Sequence, residues 1–381
     1  MAERRFMPET PEAITADWLN EVLTDHPQFS SQIVTGVESE VIGDGEGFVG
    51  DILRLTLQVQ DDHHPRTMVA KLPKLENRAV GELLGAYERE IMFYRSFAEE
   101  LPIRTAGLIH ADFDRDRGSE NQEEILRRAD ALPRWLNGAT AKLGRWIAAA
   151  KKRRYILLIE DVAPAVPGNQ LEGASRKRCR QVLRELAALH ARFWDADALH
   201  GHFWLLPSDI DVRMRHTMMK DSREAFARSF GATAERLAPS LDALTDTGVE
   251  LLQGLCAGPN TLLHNDMRLD NLLFDADGAI FIDWQLVRRG PAMIDVAYFL
   301  ASAVTDEEPA HDLIETYHKA LASHGIHSYP LDRAMADYRS ALQVVLMSLS
   351  TVDSVDVGSG RGDELLKTWM IRLAQRLEAD T

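Results

Sequence analysis

Two short apolar stretches, NLLF and AIFI, are joined by DADG, a strong hairpin signal. A chain that runs out along the first and back along the second brings Asn271 and Asp283 to one end of the ladder. An amide and a carboxylate gathered there suit magnesium, a hard cation that takes a few protein oxygens and completes its shell with phosphates and water. Just upstream, TLL leads into His264, Asn265 and Asp266, which places a second carboxylate in the turn beside that pair. A second set lies far away in sequence. Val69 and Lys71 point to one face of TMVAKL, and a lysine turned inward over a sheet needs an anion. Glu90 can supply it: Leu83, Tyr87, Glu90 and Tyr94 are spaced four, three and four, which is the inward stripe of a helix, and Glu88 lies off that stripe. Taken singly, Lys71 or Glu90 would more often be a snorkelling surface charge; the pair in this order is hard to explain that way.

Several elements must position these residues. Thr15 can cap a short helix carrying Trp18, Leu19, Val22 and Leu23. VESEVIG, ILRLTLQV and TMVAKL read as a three-strand meander, Val80 to Ala98 as one helix, and GLIHADF and YILLIEDV as two more strands. Gly43, Gly45, Gly47 and Gly50 fall between two strands, with no helix N-terminus to receive a phosphate, so a P-loop or Rossmann reading is poor and a plain hairpin or a glycine lid remains. The excursion from Arg115 to Arg154 is long for a strand connection and basic in its second half. It reads either as a solvated helical insertion or as a flap anchored by Trp135 and Trp146. Beyond Pro164 the chain is mostly helical, over 175–194, 213–230, 237–255, 310–324, 331–350 and 364–378, with GSGRGDELL as a linker into the last helix. No internal repeat or low-complexity tract occurs.

Composition bounds the function. The 381 residues hold 43 Lys and Arg against 59 Asp and Glu, a net charge of −16, which argues against a general binder of nucleic acid or of anionic membranes. Two cysteines exclude a disulfide scaffold and a cysteine-based zinc site and fit a reducing cytoplasm. No stretch approaches 18 uninterrupted apolar residues.

Asp266, Asn271 and Asp283 form an H-x-D-x4-N plus I-D-W pattern that resembles the catalytic and metal loops of protein-kinase-like phosphotransferases. Within that superfamily the chain resembles the aminoglycoside phosphotransferase and choline kinase group, and most of all its ecdysteroid-kinase-like branch with bacterial relatives. LLHNDMRLDNLLF, IFIDWQLVRRGPAMIDVAYFL, ILLIEDV and LRELAALHARFW carry the likeness. The resemblance implies an α+β, protein-kinase-like fold of two lobes: a nucleotide-binding lobe over 1–159 that includes the insertion at about 115–154, a hinge at 160–163, and a mainly helical acceptor lobe over 164–381, with catalysis between them. It implies ATP and Mg2+ as cofactors. Asp266 would accept or orient the proton of the attacking hydroxyl, His264 would brace the loop, Arg268 would offset phosphoryl charge, and Asn271 and Asp283 would hold magnesium. Lys71 with Glu90 would grip the α and β phosphates, Gly43, Gly45 and Gly47 would cover the nucleotide, and backbone groups of Glu160, Asp161 and Val162 would meet the adenine. Asp295 resembles the helix aspartate that bonds the catalytic loop.

One departure is His264-Asn265-Asp266, where many antibiotic kinases read H-G-D; this form resembles choline kinases, yet the R-R-G-x4-D-x-A-Y-F-L that follows IDWQ does not. The implied partner is a small-molecule hydroxyl acceptor. A lipophilic or steroid-like alcohol leads, an aminoglycoside or a hydroxyacyl-CoA stands beside it, and a non-catalytic nucleotide-binding regulator is the alternative of another class. Oligomeric state is not readable.

Overall fold

Thr15 starts the first helix as its sequence predicts: its extended backbone lets the hydroxyl accept the Trp18 N–H at 3.2 Å, and α1 (Ala16–Leu23) buries Trp18, Leu19 and Leu23. In the computed structural model the described residues are 6–29, 33–42, 50–60, 66–74, 78–115, 121–133, 153–351 and 360–380. They fall into two units, Met1–Glu100 with Thr105–Arg117 and Ala139–Pro164, and Leu101–Arg104 with Gly118–Gly138 and Ala165–Thr381.

The first unit is built on an antiparallel sheet. The meander becomes β1 (Val34–Val41), β2 (Gly50–Val59) and β3 (Thr67–Pro73). Past β4 (Arg104–Thr105), where the chain passes between units, β5 (Leu108–Phe113) and β6 (Tyr155–Glu160) complete the order β1-β2-β3-β6-β5. Alternation then decides the faces. Leu53, Leu55, Leu57, Met68, Ala70 and Leu72 join Ile156, Leu158 and the α1 side chains in one core, so Lys71 turns to the other face, opposite Leu157 in register. Each such buried aliphatic side chain is worth roughly 1.5–3 kcal/mol.

The single helix expected over Val80–Ala98 is broken. Gly85 at φ +65° separates α2 (Arg78–Leu84) from α3 (Ala86–Ser96), a left-handed conformation that glycine adopts without a Cβ clash. The break re-phases the stripe. Leu83 and Leu84 are exposed, while α3 buries Glu90, Ile91, Phe93 and Tyr94.

The second unit contains α4 (Gln122–Asp130), β7 (Val166–Pro167), α5 (Arg176–Arg192), α6 (Val212–Phe230) and α7 (Ala232–Cys256). Short strands follow: β8 (Thr261–Leu263), β9 (Leu272–Phe274), β10 (Ala279–Phe281) and β11 (Arg288–Gly290). The chain ends in α8 (Met293–Ala303), α9 (His311–Ser323), α10 (Leu331–Leu349) and α11 (Gly360–Asp380). From Gly360 onward GSGRGDELL is thus the first two turns of α11 rather than a linker. β9 pairs antiparallel with β10 and with β7, and β8 with β11, so the fully buried strand TLL aims its C-terminal end at His264.

Candidate active site

The hairpin forms as its turn residues predict. Asp275 Oδ1 accepts the backbone N–H groups of Asp277 at 2.9 Å and Gly278 at 3.2 Å, with Gly278 at φ +145°. Hydrogen bonding from Arg104, helped by these turn amides, pulls the Asp275 carboxyl down to about 2. Leu272 faces Phe281, and Ile282 N–H donates to Asn271 O at 3.1 Å, so the ladder ends with Asn271 just before one strand and Asp283 just beyond the other.

Asn271 is the keystone of the loop. Its buried Nδ2 donates at 2.9 Å both to the Asp266 carbonyl and to Asp266 Oδ2. Both amide hydrogens are then engaged, and Oδ1 has no hydrogen-bond partner among the described residues. Asp283 stands at φ +66°, a left-handed conformation costly for a residue with a Cβ, and Gln285 donates to its Oδ2 at 3.1 Å. An amide oxygen and a carboxylate are hard donors of the kind magnesium takes, so the residues fit that ion. Among the described residues no three His, Cys, Asp or Glu gather as a metal site, so phosphates and water would complete the shell.

Asp295 of α8 fixes the loop from behind. Its buried carboxylate accepts the His264 N–H at 2.7 Å and the Asn265 N–H at 2.8 Å, and Asn265 adopts φ +63° to present its amide. His264 is itself buried, donates from Nε2 to Ile282 O at 2.9 Å and packs its ring on Trp284, which links the loop to the strand carrying Asp283. Arg268 Nε lies 3.6 Å from Asp266 Oδ2. Burial opposes its charge, but Asp266, Asp283 and Asp270 outweigh that and hold the guanidinium charged. Tyr298, one turn beyond Asp295 on α8, is a neighbour absent from the sequence reading: burial and the adjacent Asp266 push its phenol well above 10.0, and Trp369 packs edge-on at 4.7 Å.

In the first unit Lys71 Nζ and Glu90 Oε1 meet at 2.6 Å. Glu88, which the spacing puts off the inward stripe, is buried as well and pairs at 2.7 Å with Arg153, which also holds Glu82 at 2.6 Å. Glu160 accepts the Gly107 N–H through Oε2 at 3.2 Å and donates its own N–H to Gly107 O at 2.8 Å. Asp161 pairs with Arg54 at 2.8 Å and caps Ala163 N–H, and Val162 follows it past the end of β6. Gly43, Gly45 and Gly47 lie outside the described residues, as do Trp135 and Trp146.

The described part of the basic excursion is not a free cationic surface. Arg127 pairs with Glu123 and Asp209, Arg128 with Glu124, Arg153 as above, and Arg154 with Asp114 at 2.9 Å. Residues 121–133 go with the second unit: Glu123 holds Arg289 of β11 at 2.9 Å, and Asp130 accepts the Arg213 and Met214 N–H groups at the start of α6. The sequence alone puts this stretch in the first lobe, because side-chain partners more than 80 residues away leave no local pattern.

The chain resembles choline kinase from Cryptosporidium parvum Iowa II at 12% identity, covering 90% of this chain and 89% of that one with a TM-score of 0.53. It also resembles a macrolide 2'-phosphotransferase from Brachybacterium faecium at 15% identity, covering 93% and 97% with a TM-score of 0.48. No curated protein sequence matches it. The fold is α+β and protein-kinase-like. The profile of the ecdysteroid kinase-like family matches residues 120–327, more than half of the sequence, and the chain belongs to that family.

Proposed function

We propose that the protein is an ATP- and magnesium-dependent phosphotransferase that moves the γ-phosphate of ATP to a hydroxyl of a small molecule, with a lipophilic, steroid-like alcohol as the leading acceptor class. The observation that carries this reading is the Asn271 amide, locked to both the backbone and the carboxylate of Asp266 with its oxygen left over. That arrangement couples a proton acceptor to a cation ligand within five residues, which phosphoryl transfer requires and a passive binding loop does not.

In the reaction the acceptor oxygen bonds to the γ-phosphorus, the bond to the bridging β–γ oxygen breaks, ADP leaves, and Asp266 takes or orients the hydroxyl proton. Arg268 offsets charge on the transferring group, and His264 keeps the loop closed on the hairpin. Asn271 Oδ1 and Asp283 would hold magnesium, which when bound neutralises phosphate charge. In the first unit Lys71, aimed by Glu90, would meet the α and β phosphates, Gly43, Gly45 and Gly47 would cover the nucleotide, and the backbone of Glu160, Asp161 and Val162 would meet adenine. The division into a nucleotide lobe over 1–159, without residues 101–104 and 118–138, which go with the second unit, a hinge at 160–163 and an acceptor lobe over 164–381 belongs to the same proposal. Two free cysteines support a cytoplasmic setting. No helix among the described residues is long and apolar enough to cross a membrane. A CoA-type acceptor gains nothing from Arg127, Arg128, Arg153 or Arg154, whose charges are matched internally.

Calorimetry tests the reading. ATP should bind the protein with an affinity that rises when magnesium is added, and Asn271→Leu should abolish the magnesium effect. Absence of ATP binding under both conditions would reject it.

A further inference from the structure

Arg153, two residues before β6, engages all three nitrogens of its guanidinium. Nε and Nη2 donate to Glu82 Oε2 at 3.0 and 2.6 Å, and Nη1 donates to Glu88 Oε2 at 2.7 Å. The cluster is withdrawn from water: the Arg153, Glu82 and Glu88 side chains are 12%, 0% and 9% exposed, and the guanidinium lies 5.2 Å from the centre of the Tyr155 ring. Burial opposes the charge on Arg153, but its hydrogen bonds to Glu82 outweigh that and hold it charged. A return tie comes from Arg78, the first residue of α2, which donates to the Arg153 carbonyl.

Glu82 belongs to α2 and Glu88 to α3. On one continuous helix, residues six apart stand about 120° apart around the axis and about 9 Å along it, which points their side chains apart. The left-handed break at Gly85 lets the two carboxylates converge on one guanidinium. Glu88 and Glu90 are in turn about 200° apart around α3, so Arg153 and Lys71 grip that helix from different sides. The two grips are unequal. An ammonium on a flexible stem can follow its carboxylate as the helix turns, whereas a planar fork with every nitrogen engaged allows little rotation. We propose that Arg153 is a positioning residue for the nucleotide site: by clasping Glu82 and Glu88 across the Gly85 break it sets the rotation of α3 and thereby aims Glu90 at Lys71. The consequence for ATP rests on the phosphotransferase reading; the clasp itself does not.

An arginine that only balances buried charge would behave differently. Arg153→Met strands two carboxylates away from water and destabilises the unit in either case, so it decides nothing alone. Arg153→Lys keeps the charge without the fork, and the triple variant Arg153→Met, Glu82→Gln, Glu88→Gln removes the fork together with both carboxylate charges. Charge balance predicts that each of these two restores wild-type behaviour. The clasp predicts that neither does. By hydrogen exchange and mass spectrometry, the amides of α3 (Ala86–Ser96) should exchange about 10-fold or more faster than in wild type in both variants, over and above any change in the amides of β2 (Gly50–Val59), which report the stability of the unit as a whole. ATP affinity, measured by calorimetry with magnesium, should fall by about 5-fold or more in both. Affinity within about 2-fold of wild type in either variant, or α3 amides that move only as far as those of β2, overturns the proposal. Wild-type protein that fails to bind ATP would reject the phosphotransferase reading instead and leave the exchange of α3 to decide the clasp.

Discussion

Replacing Glu90 by glutamine keeps the shape of the side chain and removes its charge, leaving the Lys71 ammonium facing an amide where the two side chains are 15% and 8% exposed. At 2.6 Å and an effective dielectric of about 20, the gross attraction is about 6 kcal/mol. Desolvation of two ions takes back most of that gain, while breaking one member of such a pair costs about 3–5 kcal/mol because a charge stays behind. Glu90→Gln and Lys71→Met should therefore each destabilise the first unit by about 2–4 kcal/mol, and the double variant should lie within about 1 kcal/mol of wild type. ATP affinity should follow a different pattern. Lys71→Met alone and the double variant should lose it by the same factor, about 10–100, because the phosphates lose their cation either way. The assay is a double-mutant cycle of urea unfolding, read by exchange of β3 and α3 amides, alongside calorimetry with ATP. Stability effects that add to within about 0.5 kcal/mol, or a Lys71→Met variant that binds ATP like wild type, would refute the reasoning.

Two further perturbations test other parts of the account. Asp211, at the start of α6, is pulled two ways: burial raises its pKa, and Arg215 at 2.9 Å with Arg288 at 3.3 Å outweighs that and lowers it from 3.8 to about 2. A carboxyl depressed in the folded state stabilises it above about pH 4 and loses that contribution as pH falls toward 2, so Asp211→Asn should cost about 2 kcal/mol at neutral pH and flatten the acid limb of an unfolding curve there. Gly168 lies against Leu269 O of the 264–271 loop so closely that a Cβ would overlap it, and its N–H donates to Leu272 O at 2.8 Å. Gly168→Ala should displace the loop and lower ATP turnover by about 10-fold or more with the α5–α9 packing intact; unchanged turnover would show that the loop yields without consequence.

Much of the site was legible because its contacts are local or periodic. DADG specified the turn, and the count along NLLF and AIFI brought Asn271 and Asp283 to one end. Alternation in TMVAKL turned Lys71 away from the core that holds Met68, Ala70 and Leu72. The helical stripe was harder. Gly85 could have been an ordinary helical residue, and only tertiary packing selects its left-handed break, so Leu83 fell on the wrong side and the burial of Glu88 was missed although Glu90 was placed. His190 left a trace: it falls four residues after Leu186 on a stripe otherwise apolar, which marks a polar group entering the core. Its partners Asp295 and Tyr317 lie 105 and 127 residues away, beyond any local pattern. The same distance hid the docking of α4, because Glu123 meets Arg289 across 166 residues.

The central claim is that Asp266 serves transfer of a phosphoryl group from ATP to a hydroxyl. Incubating the protein with ATP, magnesium and hydroxysteroids, aminoglycosides or hydroxyacyl-CoAs, while measuring ADP and the mass of each acceptor, tests it most directly. The account predicts ADP release matched by a phosphorylated acceptor, falling by at least about 100-fold in Asp266→Asn with ATP binding retained. Transfer that continues at the wild-type rate in Asp266→Asn would contradict it.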